Sequence, residues 1–240
     1  MLDVIAFDAD DTLWHTELYY RQAEQRYLAM LAACGVSTED ALAALHRLEI
    51  DNLVYFGYGI RGFILSMIEA AIQVSAGRVS TSDIQEMIEL GRGMTGHEIR
   101  LLDGVRETLD SLTGRRLMLI TKGDTLDQES KIRRSGLAGY FPLVEIVLDK
   151  TPEAYASVFA RHSIDPTRFV MVGNSLRSDI APVLALGGYA VHIPYPDSWA
   201  HESAADLPAD RSRFFEISSM HQLGEVIAKI EAQITQAGPR

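Results

Sequence analysis

Five short apolar runs constrain the fold of this chain more than any other feature of its sequence. Each has four or five residues, is rich in Val, Ile, Leu or aromatic residues, and stops at Asp, Thr, Gly or Pro: Val4–Phe7, Leu117–Ile120, Val144–Leu148, Phe169–Val172 and Tyr189–Ile193. Largely continuous rather than alternating apolarity predicts strands that are buried on both faces. Helix-like stretches separate the last four runs and begin near Thr125, Pro152 and Leu176. Strands that alternate with helices predict an α/β fold with a parallel central sheet and right-handed crossovers.

The segment between the first and second runs departs from this alternation. It contains no convincing long strand, and its apolar pattern predicts helices over residues 16–33, 38–50, 63–75 and 81–91. About 80 residues of helix inserted after a first strand predict a separate subdomain. We therefore expect an α/β core domain formed by residues 1–14 and 96–240, and a helical domain formed by residues 15–95.

Charge and composition exclude several classes of protein. The chain has 240 residues and a formal net charge of −11, so an acidic surface without a basic stripe disfavours nucleic acid and anionic membranes as partners. The apolar runs are far shorter than the ~18 residues of a membrane span. Cys34 is the one cysteine, which excludes an internal disulfide and a cysteine-based zinc site. Acidic residues stand where a secretory signal needs Lys or Arg, so we expect a cytoplasmic protein, of an oligomeric state that the sequence leaves open.

Acidic residues follow the first apolar run. In the sequence Asp8-Ala9-Asp10-Asp11-Thr12, three carboxylates in four positions repel one another strongly unless they share a cation. Asp8 and Asp10 are two residues apart and could both face one site from a turning backbone. The alternative is a cluster that caps a helix N-terminus, where acidic residues are also favoured.

Groups that suit an anion follow the second and third runs. Thr121, Lys122 and Gly123 offer a hydroxyl, an ammonium and a flexible backbone N–H in succession. Lys150 stands just before a helix start, where the helix dipole disfavours a cation unless an anion lies between them. The alternatives are an ordinary strand-to-helix turn and a surface lysine.

The fourth run is followed by oxygen donors. Asn174 and Asp179 could ligate a hard cation such as Mg²⁺, or could cap the next helix. Ligands of open α/β sheets bind beyond the carboxyl ends of the strands, so one site would account for the polar residues at all four strand ends.

The order of four short sequences, FDADDT, LITKG, DKTPEAY and GNSLRSD, resembles the haloacid dehalogenase superfamily, and in particular its phosphatase branch. The match covers residues 1–14 and roughly 100–200. It implies a three-layer, Rossmann-like sandwich with a C1-type helical cap where the insertion lies. It also implies a Mg²⁺-dependent phosphomonoesterase that acts on a small phosphorylated metabolite, such as a nucleotide or sugar phosphate, through an aspartyl-phosphate.

The resemblance gives the acidic residues their roles. It makes Asp8 the nucleophile and Asp10 the residue that protonates the leaving oxygen and then accepts a proton from water. Mg²⁺ would contact Asp8 and the backbone carbonyl of Asp10, with Asn174 and Asp179 completing or supporting the metal site.

The same resemblance assigns the anion-binding residues. Thr121 would donate to the phosphoryl oxygens, and Lys150 would neutralise the charge that develops in the transition state. Lys122 and Gly123 would complete the phosphate site. Lys122 stands where the family usually has Asn, and it either contacts substrate or pairs with Asp124 or Asp149.

A second departure keeps other functions open. Asn174 stands where the family usually has Asp, and an uncharged ligand would weaken metal binding unless Asp179 compensates. A catalytically weak binding or regulatory protein is therefore one alternative, and a phosphomutase is another. A 2-haloacid dehalogenase is disfavoured, because that reaction needs the first Asp but neither a second acid nor Mg²⁺.

Two further residues are candidate substrate contacts. Arg61 lies in the segment Gly57–Gly62, which matches G-x-G-x-x-G but without the strand and acidic residue of a dinucleotide site, and which we interpret as a glycine-rich turn of the cap. Trp14 follows the acidic cluster and would either pack between the core and the cap or contact a substrate base.

Overall fold

The fold is built on a six-stranded parallel sheet. A computed structural model describes residues 1–196, 199–203 and 205–237. The strands are β1 (Val4–Phe7), β2 (Leu117–Lys122), β3 (Leu143–Val147), β4 (Phe169–Gly173), β5 (Tyr189–His192) and β6 (Phe214–Glu216). They lie in the order β3-β2-β1-β4-β5-β6, and every neighbouring pair is parallel. The first strand of the chain is therefore an inner strand of the sheet.

Helices account for most of the remaining chain. Their bounds are α1 (Glu17–Ala33), α2 (Thr38–Phe56), α3 (Ile60–Val74), α4 (Thr81–Gly96), α5 (Val105–Ser111), α6 (Thr125–Ser135), α7 (Pro152–His162), α8 (Ala181–Ala185), α9 (Ala200–Ser203) and α10 (Leu223–Ala237). A π-helical turn, Leu176–Ile180, precedes α8. Among the helices described, none combines the length and the apolar composition that crossing a bilayer requires.

The chain divides into two compact units. Unit 1 comprises Met1–Glu17, Ile99–Lys122 and the described residues from Gln128 onward, and unit 2 comprises Leu18–Glu98 with Gly123–Asp127. The assignment of the helical insertion as a cap over residues 15–95 stays a prediction.

Unit 1 has three layers because β1 alternates its side chains between two hydrophobic clusters. Ile5 and Phe7 pack on one face with residues of α5 and α10. Val4 and Ala6 pack on the other face with Tyr155 and other residues of α7. The predicted fold class, a three-layer α/β sandwich with a parallel sheet and an inserted helical domain, is confirmed. Strand β6 and helix α10 are additional to the predicted elements.

Unit 2 has its own hydrophobic core, formed by helices α1 to α4. Its fully buried side chains include Tyr27, Leu31, Leu45, Met67 and Met87. Two serines cap its helices: Ser37 accepts from the backbone N–H of Asp40, and Ser80 accepts from that of Asp83. Such caps satisfy donors that the first helical turn leaves unpaired, so α2 and α4 begin where the sequence changes to serine.

Candidate active site

The register of the sheet brings the polar strand ends to one edge of unit 1. Phe7 is paired with Leu119 of β2 and with Val172 of β4. Asp8 therefore extends beyond the sheet at the same edge as the ends of β2 and β4. This edge lies where the strand order reverses around β1, which is the usual position of ligand sites in open α/β sheets.

A buried lysine joins two buried carboxylates at this edge. The Nζ atom of Lys150 lies 2.5 Å from Oδ1 of Asp8 and 2.7 Å from Oδ1 of Asp179. All three side chains are at least nine-tenths buried. Two carboxylates and one ammonium leave a formal charge of −1 inside the protein, so the group can accommodate additional positive charge.

Burial and charge act in opposite directions on these groups. Burial raises the pKa of Asp8 to about 7 against the opposing effect of Lys150. Burial disfavours the ammonium of Lys150, but Asp179 and Asp8 outweigh it and raise the pKa of that lysine. Lys150 is therefore a fixed cation at physiological pH, positioned beside the carboxylate that the sequence predicts as the nucleophile.

Asp179 is held by the backbone around it. Its Oδ2 accepts a hydrogen bond from the N–H of Ser175 at 3.0 Å. It packs so closely on Gly173 that a Cβ atom at that glycine would lie 2.3 Å from the Asp179 carboxyl carbon. The π-helical turn that carries Asp179 is also tied to α7, because the Tyr155 hydroxyl donates to the carbonyl of Ser178 at 3.1 Å. Glycine is thus required at the end of β4 to admit Asp179 beside Lys150.

Thr12 connects Asp8 to Asn174. Its Oγ1 lies 3.0 Å from Oδ2 of Asp8 and 3.3 Å from Oδ1 of Asn174, and it accepts from the Asn174 backbone N–H at 3.1 Å. One hydroxyl proton can serve only one of two acceptors. Oδ2 of Asp8 and Oδ1 of Asn174 are therefore neighbours of the same hydroxyl, and one of them is left without its proton. His192 fixes the same loop by donating from Nε2 to the Asn174 carbonyl at 3.0 Å.

These oxygens suit a hard cation such as Mg²⁺, which binds carboxylate and carbonyl oxygens. Within the described ranges, no group of three or more His, Cys, Asp or Glu side chains is arranged to hold a metal ion. A cation here would therefore depend on the Asp8 carboxylate and the Asn174 amide, with Asp179 close by and backbone carbonyls or water completing the set. The residual negative charge and these neighbouring oxygens fit such an ion.

Asp10 lies in a separate polar cluster. Its Oδ1 accepts from Trp14 Nε1 and Thr16 Oγ1, each at 2.7 Å, and from Lys131 Nζ at 2.9 Å. Its Oδ2 accepts from Lys131 Nζ at 2.7 Å and from Gln128 Nε2 at 2.8 Å. Burial opposes the charge on Asp10, but the Lys131 ammonium and the other donors lower the pKa of this carboxyl to about 2. Asp8 and Asp10 thus have environments that shift their pKa values in opposite directions.

Asp11, the third acid of the cluster, caps a helix. Its Oδ1 accepts from the backbone N–H of Thr16 at 2.8 Å and from that of Glu17 at 3.1 Å, at the start of α1. Its φ of 60° places it in the left-handed region, where Asp is tolerated better than most residues. The capping alternative therefore holds for Asp11, whereas Asp8 and Asp10 contact lysines.

Lys122 is paired with an acid from a distant segment. Its Nζ lies 2.5 Å from Oε1 of Glu202 in α9 and 2.8 Å from Oγ of Ser178. Oε2 of Glu202 accepts from the hydroxyls of Ser175 and Ser178, each at 2.6 Å. Lys122 thus holds the loop after β4, and its predicted role in phosphate binding stays a prediction.

The remaining predicted site residues lie in different places. Thr121 is buried in β2, one residue before Lys122. Gly123 has a φ of 127° and begins the segment that belongs to unit 2. Arg61 is an exposed residue of unit 2 whose guanidinium lies 2.8 Å from Asp124 of the same unit. The roles of Thr121 and Gly123 in phosphate binding, and of Arg61 in substrate binding, stay predictions.

Trp14 does not present a surface to a ligand. Its side chain is fully buried in unit 1, and its indole N–H donates to Asp10. This burial disfavours the predicted contact between Trp14 and a substrate base. Because its indole N–H donates to Oδ1 of Asp10, Trp14 helps to hold that carboxylate in place.

Sequence reasoning missed several residues that support this site. Gln128, Lys131 and Glu202 lack a local signal such as an apolar run or a glycine-rich turn. Thr12 ends the acidic motif and His192 lies in the fifth apolar run, but neither position indicates by itself which groups the side chain contacts. Gln128 and Lys131 are three residues apart on α6, so their shared helix face was the one pattern that could have indicated them.

Comparison with known proteins places the chain in a family. Residues 2–187 match the family described as haloacid dehalogenase-like hydrolase. The chain belongs to the haloacid dehalogenase-like hydrolases. The predicted resemblance is thereby confirmed, and hydrolase chemistry is the activity shared at this level.

Three members illustrate the range of these hydrolases. The crystal structure of a haloacid dehalogenase-like family hydrolase from Xanthomonas campestris is 38% identical, with a TM-score of 0.88 over 99% of this chain and 95% of that chain. A hydrolase of Bacillus subtilis, YfnB, whose structure contains magnesium, is 18% identical, with a TM-score of 0.67 over 95% of this chain and 99% of that chain. The pyrimidine 5′-nucleotidase YjjG of Escherichia coli is 24% identical over 66% of this chain and 67% of its own length. Dehalogenases of 2-haloacids share the fold as well.

Proposed function

We propose that this hydrolase is a Mg²⁺-dependent phosphomonoesterase that acts on a small phosphorylated metabolite. The observation that carries the proposal is the pair of carboxylates on one strand end, each with its own lysine. Lys150 lies beside Asp8, and Lys131 lies beside Asp10. A nucleophile and a separate acid–base residue are the two groups that phosphate-ester hydrolysis through a covalent intermediate requires.

In the first step, a carboxylate oxygen of Asp8 attacks phosphorus, and the bond from phosphorus to the leaving alcohol oxygen breaks. Asp10, in its protonated form, transfers its proton to that oxygen. The product is an aspartyl-phosphate on Asp8 and a free alcohol. Lys150 stabilises the negative charge on the transferring phosphoryl group because it is a buried, permanently charged neighbour of Asp8.

In the second step, water attacks the phosphorus of the aspartyl-phosphate. The carboxylate of Asp10 accepts a proton from that water, and the bond from phosphorus to the Asp8 oxygen breaks to release phosphate. The contacts with Lys131, Gln128 and Thr16 lower the pKa of Asp10 and favour the ionised form that this half of the reaction needs. The first half needs the protonated form, which the negative charge of a bound phosphate beside Asp10 would favour. Mg²⁺ bound by Asp8 and Asn174 would lower the repulsion between the anionic nucleophile and the anionic substrate.

The relatives and the net charge support a choice of substrate class. YjjG is a pyrimidine 5′-nucleotidase, which supports nucleoside monophosphates as the first compounds to test. A protein with a net charge of −11 binds an anion only where positive charge is concentrated, and Lys150 provides such a charge at the edge of the sheet. Localisation in the cytoplasm stays a prediction.

The test is phosphate release by the purified protein from a panel of phosphorylated metabolites, nucleotides and sugar phosphates first, with Mg²⁺ and with excess EDTA. We expect turnover that EDTA abolishes and Mg²⁺ restores, and that Asp8→Asn eliminates. Halide release from 2-chloropropionate, with no phosphate release, would instead establish a dehalogenase. Absence of both activities would favour the catalytically weak binding protein, and a bisphosphate intermediate would indicate a phosphomutase.

A further inference from the structure

We propose that Lys131 is the positioning residue for Asp10: the ammonium on α6 sets the orientation in which that carboxylate exchanges a proton with the leaving group. The proposal rests on the phosphatase function proposed above. It arises from one juxtaposition, in which Nζ of Lys131 lies 2.9 Å from Oδ1 and 2.7 Å from Oδ2 of Asp10.

The contact between Lys131 and Asp10 differs from the ordinary ion pairs of this protein. The Lys131 side chain is 3% exposed, whereas the arginine of the surface pair Arg92–Glu89 is 69% exposed. Exposed pairs are mobile and contribute little, because water and salt screen them. A buried ammonium has few alternative positions, so its contact with a carboxylate fixes the geometry of both groups.

Lys131 has a distinct place among the described donors to Asp10. Trp14 and Thr16 donate to Oδ1, and Gln128 donates to Oδ2. Of these contacts, that of Lys131 alone spans both oxygens, so it determines the rotation of the carboxylate plane. Gln128 comes from the same helix, three residues earlier, so α6 holds Asp10 through two neighbouring side chains.

Proton transfer is sensitive to this orientation. A general acid must lie within hydrogen-bond reach of the leaving oxygen, and a misplacement of about 1 Å can cost roughly 100-fold in rate. With five hydrogen-bond contacts to two oxygens, the Asp10 carboxylate has no freedom to find the leaving group by rotation alone. Loss of Lys131 would therefore weaken catalysis most where protonation of the leaving group matters most.

A series of aryl phosphates tests this prediction without knowledge of the natural substrate. The phenol leaving groups range from 2,4-dinitrophenol, which departs as a stable anion, to 4-methylphenol, which needs a proton. We compare kcat/KM along the series for wild type, Asp10→Asn, Lys131→Met, Lys131→Arg and the double variant Asp10→Asn/Lys131→Met. This ratio reports only the steps up to the first transfer, so hydrolysis of the aspartyl-phosphate does not obscure it.

We expect Lys131→Met to reproduce the pattern of Asp10→Asn: a loss of about tenfold or more with 4-methylphenyl phosphate and less than about threefold with 2,4-dinitrophenyl phosphate. The double variant should lose little more than either single variant, because the two residues act as one unit. Lys131→Arg, which keeps the charge, should recover part of the loss. Lys229→Met, on the exposed face of α10, is the matched control.

The outcomes separate the two proposals. If wild type releases no phosphate from any aryl phosphate, the proposed function fails. If Asp10→Asn changes the dependence on the leaving group and Lys131→Met does not, or if Lys131→Met lowers kcat/KM equally along the series, the positioning role alone is overturned. Circular dichroism shows whether Lys131→Met folds. If it does not, Lys131→Arg is compared with wild type instead. A folded Lys131→Arg variant whose kcat/KM depends on the leaving group as that of wild type does would contradict the proposal.

Discussion

Lys122 at the end of β2 forms a partly buried ion pair with Glu202 of α9, with 2.5 Å between Nζ and Oε1. The two residues are 80 positions apart in the chain, and Glu202 also accepts from two hydroxyls of the loop after β4. The pair therefore links the second strand to the loop that carries Asn174 and Asp179. Its contribution should be visible in the stability of the protein and in its dependence on pH.

Replacement of Glu202 by Gln should destabilise the protein more at neutral pH than in acid. The contacts of Glu202 lower its pKa from 4.5 to about 2 in the folded state, despite burial. Such a group stabilises the fold above its unfolded pKa, and this stabilisation is lost as the pH falls through the folded value. The shift corresponds to about 3 kcal/mol. Urea unfolding should therefore show a difference between wild type and variant that is less than half as large at pH 3 as at pH 7, because pH 3 lies between the unfolded pKa and the folded one. Glu225→Gln, at an exposed position of α10, is the control, and a difference that persists undiminished at pH 3 would contradict the prediction.

Replacement of Lys150 by Met should abolish phosphate release and lower the stability of the protein. The substitution leaves Asp8 and Asp179 buried without their shared ammonium, at a cost of about 3–5 kcal/mol at neutral pH. Burial raises the pKa of Asp8, so protonation of a carboxylate should restore part of the lost stability as the pH falls from 8 to 5. Thermal unfolding of the variant between pH 8 and pH 5 checks whether its stability relative to wild type rises as the pH falls. A variant as stable as wild type at pH 8 would show that the ammonium does not balance the carboxylates.

Replacement of Asn174 by Asp should strengthen binding of Mg²⁺. Asn174 supplies an uncharged oxygen next to Asp8, and a carboxylate in its place adds a negative charge that a divalent ion would neutralise. We expect the Mg²⁺ concentration for half-maximal activity to fall by about tenfold, since one added charge contact is worth about 1–2 kcal/mol at such a site. Without Mg²⁺ the variant should unfold at a lower temperature than wild type, and addition of Mg²⁺ should reverse the order. An unchanged Mg²⁺ requirement would place the ion away from residue 174.

Replacement of Gly173 by Ala should displace Asp179. The added Cβ would lie 2.3 Å from the carboxyl carbon of Asp179, so either the carboxylate or the strand end must move. Overpacking of this kind costs about 1–3 kcal/mol, and the movement would separate Asp179 from Lys150. The free energy of unfolding measured with denaturant and the rate of phosphate release should both decrease. Gly139→Ala, at a position where a Cβ meets nothing within 4 Å, should leave both unchanged, and equal behaviour of the two variants would refute the argument.

The parts of the fold that sequence predicted well are those with local signals. The five apolar runs and their polar ends located β1 to β5 within one or two residues, because a buried parallel strand needs uninterrupted apolar side chains. The three-residue strand β6 has two partly buried residues and an exposed one, so it carries no such run. The sequence after β4 predicts an ordinary helix start where the structure has a π-helical turn. A single added residue per turn changes the apolar pattern of so short a segment too little to be recognised.

The residues of the predicted site also divide into those with a local sequence signal and those without one. Asp8 and Lys150 follow strands, so a parallel sheet brings them to one edge, whereas Asp179 reaches them through the turn after β4. Lys131 and Glu202 reach the site through contacts across 121 and 80 residues, which depend on how a helix packs rather than on any pattern in the sequence. Long-range partners of this kind become visible only in three dimensions.

The inner position of β1 has a consequence for how the chain folds. This strand is complete within the first seven residues, yet its two neighbours begin at Leu117 and Phe169. Closing loops of that length is entropically costly and slow, whereas the helices of unit 2 rely largely on contacts nearer in sequence. During synthesis, the helices of unit 2 can therefore become ordered before β1 pairs with β2 and β4. Variants that slow pairing of β1 should yield aggregated protein in cells, even where the native state, once formed, is as stable as wild type.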